Sequence, residues 1–207
     1  MPDDASITAL DLIYGYRNGI FPMADSQEGQ LYWYAPDPRA IIPIDTYQPA
    51  RSLRPLLNQR VFDVRINTAF ERVMRECAAP REGDDKTWIS DELIAAYTEL
   101  HRLGHAHSVE AYYEGQLAGG LYGVALGGAF FGESMFFRQP NASKVAFHRL
   151  MEILRQQGYE LLDTQFINDN VRRFGAIEVP RAVYRRLLRQ ALPKKVRFVD
   201  SHPSALP

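Results

Sequence analysis

Apolar positions recur at helical spacing near the start of the chain, where Leu10, Ile13, Tyr14 and the residues from Arg17 to Ile20 predict one helix. The next residues cannot continue it. Gly19-Ile20-Phe21-Pro22-Met23 and Tyr32-Trp33-Tyr34-Ala35-Pro36-Asp37-Pro38-Arg39 are dense in aromatics and prolines, and proline removes the donor a helix needs. Residues 1–43 therefore read as a small, turn-rich N-terminal domain, and residues 44–207 as a second, larger one. Further on, Ser90 and Asp91 look like an N-cap pair before Leu93, Ile94, Tyr97 and Leu100, a helical face that ends at Gly104. Alternation over 107–113, a turn at Glu114-Gly115, and runs over 117–124 and 129–137 predict three strands. Asn141 is placed to cap a helix reaching Gly158, with Ala146, Leu150, Ile153 and Leu154 inward. A short buried strand over 160–166, a helix opened by Pro180 and a closing strand over 195–199 complete the pattern. The class is α+β with a mostly antiparallel sheet.

Composition narrows this picture only a little. The chain has 207 residues, is 46% hydrophobic and 24% charged, and carries a net charge of -1, as a globular protein does. Its single cysteine, Cys77, excludes a disulfide framework and fits a reducing compartment. Met1-Pro2-Asp3-Asp4 is acidic, so no signal peptide is expected, and the weakly polar run over 117–132 is too short and glycine-rich to span a membrane. A cytoplasmic protein is the expectation. Charge distribution says more than the total: residues 181–197 hold seven basic residues and no acid, and Arg51, Arg54, Arg60 and Arg65 form a thinner basic group. Either group can be a solvated face or a local contact for a polyanion.

Candidate chemistry gathers on two predicted strands. Glu133, within Gly132-Glu133-Ser134-Met135-Phe136, and Asp163, within Asp163-Thr164-Gln165, are acids at positions hard to explain as packing. Alternation would point Asp163 and Gln165 to the same face. Both acids can alternatively be satisfied by arginines at a strand end. Ser134 lacks the second glycine of a nucleophile elbow, and His105 and His107 lack a third ligand at metal-site spacing, so neither a serine hydrolase nor a metal centre is expected. Trp33, Tyr34 and Trp88 can stack a base or simply pack. The order of elements is compatible with an acyl-CoA N-acyltransferase-like (GNAT-like) fold. However, the segment where such a fold cradles pyrophosphate, Arg138-Gln139-Pro140-Asn141-Ala142-Ser143-Lys144, has no glycine, and Pro140 removes a backbone donor. CoA is therefore not expected as the donor.

In their order and extent, these strings resemble one family, the bacterial leucyl/phenylalanyl-tRNA–protein transferases. The resemblance is carried by Tyr16-Arg17-Asn18-Gly19-Ile20-Phe21-Pro22, Pro36-Asp37-Pro38-Arg39, Thr87-Trp88-Ile89, the run from Leu103 to Glu110 and Gly119-Gly120-Leu121-Tyr122-Gly123-Val124. It continues through Gly132-Glu133-Ser134-Met135-Phe136, Asn141-Ala142-Ser143-Lys144, Asp163-Thr164-Gln165 and the run from Gly175 to Arg181. It implies a small N-terminal domain on a GNAT-like domain that takes Leu, Phe or, less well, Met from aminoacyl-tRNA. The acceptor would be a protein with N-terminal Arg or Lys, which is thereby marked for degradation, and no cofactor is needed. The resemblance further implies that Trp88, with Met23 where the family often has tryptophan, clamps the terminal adenosine. Leu121, Phe130, Leu154 and Leu162 match the donor side-chain pocket. Glu133 and Asp163 would receive the cationic acceptor, Gln165 would orient its amine, and Arg51 and Arg54 fall in the region that grips tRNA. The chain departs from the family in lacking a glycine-rich opening segment and in having Pro55 and Asn58 where basic residues are usual. An acyl-CoA-dependent N-acetyltransferase and a non-catalytic tRNA-binding module are the alternatives.

Overall fold

The computed structural model describes residues 6–25, 30–80 and 87–198. Helix α1 (Ala9–Arg17) starts at Thr8, whose hydroxyl accepts the Asp11 N–H while the Asp11 carboxylate accepts the Thr8 N–H. Its Leu12 and Tyr16 are wholly buried. Strands β1 (Phe21–Ala24) and β2 (Leu31–Tyr34) form a hairpin that stands apart from the main sheet. The chain then enters the main sheet with β3 (Arg39–Ile41), on the N-terminal side of residue 43.

The remaining elements are α2 (Arg54–Asn58), after a 3-10 turn over Arg51–Leu53, β4 (Asp63–Ile66), α3 (Phe70–Ala78) and α4 (Asp91–Arg102). Next come β5 (Ala106–Tyr113), β6 (Gln116–Leu126), β7 (Ala129–Phe137), α5 (Ala142–Gln157) and β8 (Leu161–Gln165). The last elements are α6 (Asp169–Arg173), β9 (Ile177–Val179) and α7 (Arg181–Ala191). The sheet runs β4-β5-β6-β7-β8-β3-β9, and every pair is antiparallel except β7 with β8, which α5 connects. The expected α+β class with a mostly antiparallel sheet is the one observed. One face of the sheet is packed by α1, α3, α4 and α7, around Tyr16, Tyr97 and Phe131; the other is packed by α5, around Phe130, Phe147 and Leu154.

Local rules explain the well-read elements. The Ser90 hydroxyl accepts from the Leu93 N–H and starts α4. Glu114 and Gly115 both take positive φ, 49° and 77°, as a tight hairpin turn demands. Asn141 does stand at the start of α5, but in the left-handed region and without a side-chain capping bond. Residues 195–198 form no strand, contrary to the expectation over 195–199; position 199 lies outside the described residues. The segment packs by side chain instead, with Phe198 stacked on His107 at 4.3 Å. Strand β5, which carries His107, already has both edges paired, to β4 and β6, so it offers no free ladder to join. Among the described residues, no helix is long and apolar enough to cross a membrane.

Candidate active site

The sheet comes apart where its two parallel strands end. Strands β7 and β8 are paired only from Ala129↔Leu161 to Phe131↔Asp163. Just beyond, both carry an extra residue. In the β6–β7 ladder Tyr122 faces Ser134 and Gly123 faces Gly132, so Glu133 is bulged out. In the β3–β8 ladder Ala40 faces Gln165 and Ile41 faces Asp163, so Thr164 is the extra one. A bulge bends its strand and re-aims its side chains. Two of them facing each other split the sheet, and a cavity of about 290 Å³ opens in the split.

Apolar groups make up most of the cavity wall: Leu121, Met135, Phe147, Leu150, Leu162 and Phe174. Met23 from the hairpin and Trp88 from the segment before α4 also contribute, tied together by the bond from the Ala24 N–H to the Trp88 carbonyl. The polar end is Glu133 with Gln165. The Gln165 Nε2 donates to Glu133 Oε1 at 2.7 Å, and the Tyr97 hydroxyl donates to Glu133 Oε2 at 3.3 Å. The Tyr97 hydroxyl is also hydrogen-bonded to that of Tyr16 on α1. Burial pushes the Glu133 carboxyl up to about 7; a hydrogen bond from Tyr16 pulls the other way, and the charge of Asp163 adds to the rise. Burial first, and Glu133 next, hold the Tyr16 and Tyr97 phenols well above their usual range, so both stay neutral donors. The buried Tyr122 hydroxyl and Thr164 Oγ1 have no partner among the described residues.

Behind the polar end lies a buried ion pair. Arg39 and Asp163 are 1% and 0% exposed and meet at 2.8 Å between Nη2 and Oδ2, with Nε donating to Oδ1 at 2.9 Å. The remaining capacity of Asp163 is used by the Tyr184 hydroxyl at 2.7 Å and the Gln165 N–H at 2.8 Å. The Arg39 guanidinium lies between the rings of Phe21 and Tyr184, 4.6 and 4.7 Å from their centroids, and reaches the Gly19 carbonyl at 3.3 Å. One residue of β3 thus joins the N-terminal turn, α7 and the end of β8. The bond to the Gln165 N–H also fixes that residue at φ 65°, a left-handed conformation costly for a side chain of this kind.

Six of the residues expected at the site line one cavity: Met23, Trp88, Leu121, Leu162, Glu133 and Gln165. Phe130 and Leu154 are fully buried behind it, in the core on the α5 face. Arg51 and Arg54 are exposed on the 3-10 turn and α2, and neither lines the cavity. Asp163 is placed differently from the expectation. The Thr164 bulge and the positive φ of Gln165 break the alternation, so Gln165 turns to Glu133 while Asp163 turns inward to Arg39. Asp163 has no exposure, its acceptor positions are engaged by Arg39, Tyr184 and the Gln165 N–H, and it does not line the cavity.

A family model described as leucyl/phenylalanyl-tRNA protein transferase matches residues 41–189, and one for the N-terminal domain of that protein matches residues 5–37. This chain belongs to the leucyl/phenylalanyl-tRNA–protein transferase family. Its relatives include the leucyl/phenylalanyl-tRNA–protein transferases of Prosthecochloris aestuarii, 53% identical over 91% of this chain and 97% of that one, and of Gloeobacter violaceus, 49% identical over 90% and 95%. Among solved structures, that of L-PGS from Bacillus licheniformis superposes with a TM-score of 0.43 at 14% identity, covering 79% of this chain and 53% of that one.

For this transferase family member, sequence reasoning assigned no role to Arg39, Tyr184, Tyr16 or Tyr97. A signal for the first was present, because a buried carboxylate requires a cation and Arg39 stands in the Pro36-Asp37-Pro38-Arg39 string. The tyrosines gave none, since at helical spacing they read as ordinary core. The alternative that arginines satisfy the acids holds for Asp163 and not for Glu133, whose partners are neutral.

Proposed function

We propose that this protein transfers Leu, Phe and, less well, Met from aminoacyl-tRNA to the α-amine of proteins that begin with Arg or Lys, marking them for degradation in the cytoplasm. The observation that carries the reading is an apolar cavity closed at one end by Glu133 and Gln165, with an indole and a thioether in its wall. An unbranched or aromatic donor side chain fits among Leu121, Leu162 and Phe147, with Phe130 and Leu154 backing them. The terminal adenosine lies against Trp88 and Met23, and Arg51 and Arg54 meet phosphates of the tRNA.

The chemistry is aminolysis of an ester and needs no cofactor. The neutral amine attacks the ester carbonyl; the new C–N bond forms, the bond to the ribose oxygen breaks, and the amine's proton ends on that departing oxygen. An α-amine of pKa about 7.7–8.0 is partly neutral at cellular pH. Holding amine and ester together is then the main contribution, one that can reach about 7–11 kcal/mol. Ionised Glu133 receives the positive charge of the acceptor. Because the Gln165 amide donates its NH2 to Glu133, its oxygen is left to accept from the amine and orient the lone pair. Asp163 and Arg39 act one layer back as positioning residues, through the Gln165 turn.

A transfer assay followed by mass spectrometry tests the reading, using purified protein, Leu-tRNA or Phe-tRNA, and peptides starting with Arg or Ala. A leucyl or phenylalanyl adduct on the Arg peptide alone, lost in Asp163→Ala, is the expected result. An acetyl adduct from acetyl-CoA, or tRNA binding without turnover, would replace it with an N-acetyltransferase or a binding module.

A further inference from the structure

Beside the cavity the N-terminal hairpin displays an aromatic surface that the transfer chemistry leaves unused. In its ladder Phe21 lies opposite Tyr34, and Met23 opposite Tyr32. Directly paired residues share a face, as do residues two apart, so these four side chains stand on one side of the hairpin. Phe21 is wholly buried and Met23 lines the cavity. Tyr32 and Tyr34 are 42% and 36% exposed, and Phe166, itself a cavity residue, is 42% exposed. The Tyr34 ring stacks on Phe21 at 6.1 Å and 25°, and Phe166 meets it edge-on at 6.5 Å. One ring face of Tyr34 is therefore supported by a buried neighbour and the other is turned outward. Exposed aromatics that continue a ligand cavity mark a contact surface.

Resting on the transfer reading above, we infer that Tyr32, Tyr34 and Phe166 form a stacking shelf for the unpaired nucleotides that precede the terminal adenosine of the donor. Aromatic faces accept any base, which suits a protein that must take several tRNAs. The direction comes from the hairpin ladder: Met23, against which the terminal adenosine is placed above, lies opposite Tyr32, so the nucleotide leaving that adenosine is next to the hairpin face. A cation is at hand as well, since the Arg181 guanidinium donates to the Ala35 carbonyl, one residue beyond Tyr34.

The test compares phenylalanyl-adenosine, a phenylalanyl-CCA trinucleotide and Phe-tRNA as donors to an Arg peptide, in wild type, Tyr32→Ala, Tyr34→Ala and Tyr34→Trp. Wild type should show a lower KM for the trinucleotide than for the adenosine ester. The alanine variants should lose that advantage, by roughly 5- to 150-fold per base no longer stacked, with kinetics on the adenosine ester unchanged. Tyr34→Trp should keep it. A donor-length advantage untouched in both alanine variants would overturn the shelf; so would a rise in KM for the peptide instead, which would make the surface a peptide contact. Should wild type transfer from none of these donors, the transfer reading fails. Fluorescence anisotropy with uncharged CCA then reads the shelf on its own: weakened binding in the alanine variants upholds it, and equal binding refutes it.

Discussion

Replacing Arg39 by Met removes a charge while keeping a stem of similar reach between Phe21 and Tyr184. Asp163, with no exposure, would then keep two neutral donors, the Tyr184 hydroxyl and the Gln165 N–H, and lose the cation it pairs with among the described residues. Breaking a buried pair by removing one partner costs about 3–5 kcal/mol, because the other charge stays buried without compensation. For a chain of 207 residues each kcal/mol is worth about 2–4 °C, so the midpoint of thermal unfolding should fall by roughly 6–20 °C. Combining Arg39→Met with Asp163→Asn tests whether the orphaned charge is the cause. Removing both charges leaves no orphan, so the double variant should regain much of the lost stability, a coupling a double-mutant cycle measures directly. Activity should not return with it, because a neutral amide at position 163 accepts the Gln165 N–H more weakly than a carboxylate and holds that turn less firmly. If Arg39→Met costs less than about 1 kcal/mol, or the second substitution recovers nothing, the pair does not hold the site as described.

Further outcomes are expected from the cavity wall and from the core beside it. Glu133 has its carboxyl raised to about 7 in the folded chain from an ordinary 4.5, so the folded state holds the extra proton between these values. Its contribution to stability is complete below about pH 4.5 and is lost as pH rises through about 7, by roughly 3 kcal/mol at most; Glu133→Gln should flatten that slope in denaturant titrations across pH. In the same variant KM for an Arg peptide should rise about 10- to 150-fold, and wild-type transfer should increase with pH through about 7 as Glu133 ionises. Leu121→Ala enlarges the donor pocket, so kcat/KM for Leu should fall about tenfold further than that for Phe in a competition assay. A Cβ at Gly123 would meet the Phe131 carbonyl and come within 2.5 Å of the Phe130 ring, so Gly123→Ala should lose about 1–3 kcal/mol or more in chemical denaturation; an unchanged midpoint would refute this packing.

Much of this protein is written locally. The Ser90 cap, the Glu114-Gly115 turn and the alternation that becomes β5, β6 and β7 depend on neighbours a few residues apart, and pattern alone located them. The apolar stripe of α5 behaves the same way. Short elements did not: β3, β4 and β9 span three or four residues each and exist because an edge of the sheet was available to pair with. The 195–198 segment is the converse, a strand-like pattern packed beside β5, whose two edges are already paired.

By itself, then, the sequence singled out the candidates: Glu133, Asp163, Gln165, Trp88 and the leucines are legible because their types are out of place or their strings are distinctive. Which of them line one cavity was decided only by the tertiary structure. Alternation would have sent Asp163 and Gln165 to one face; two bulges, at Glu133 and Thr164, and a positive φ at Gln165 sent them to opposite tasks. A bulge is a property of two strands in register, and the cation that buries Asp163 lies 124 positions away in sequence, so neither could be read from either strand alone.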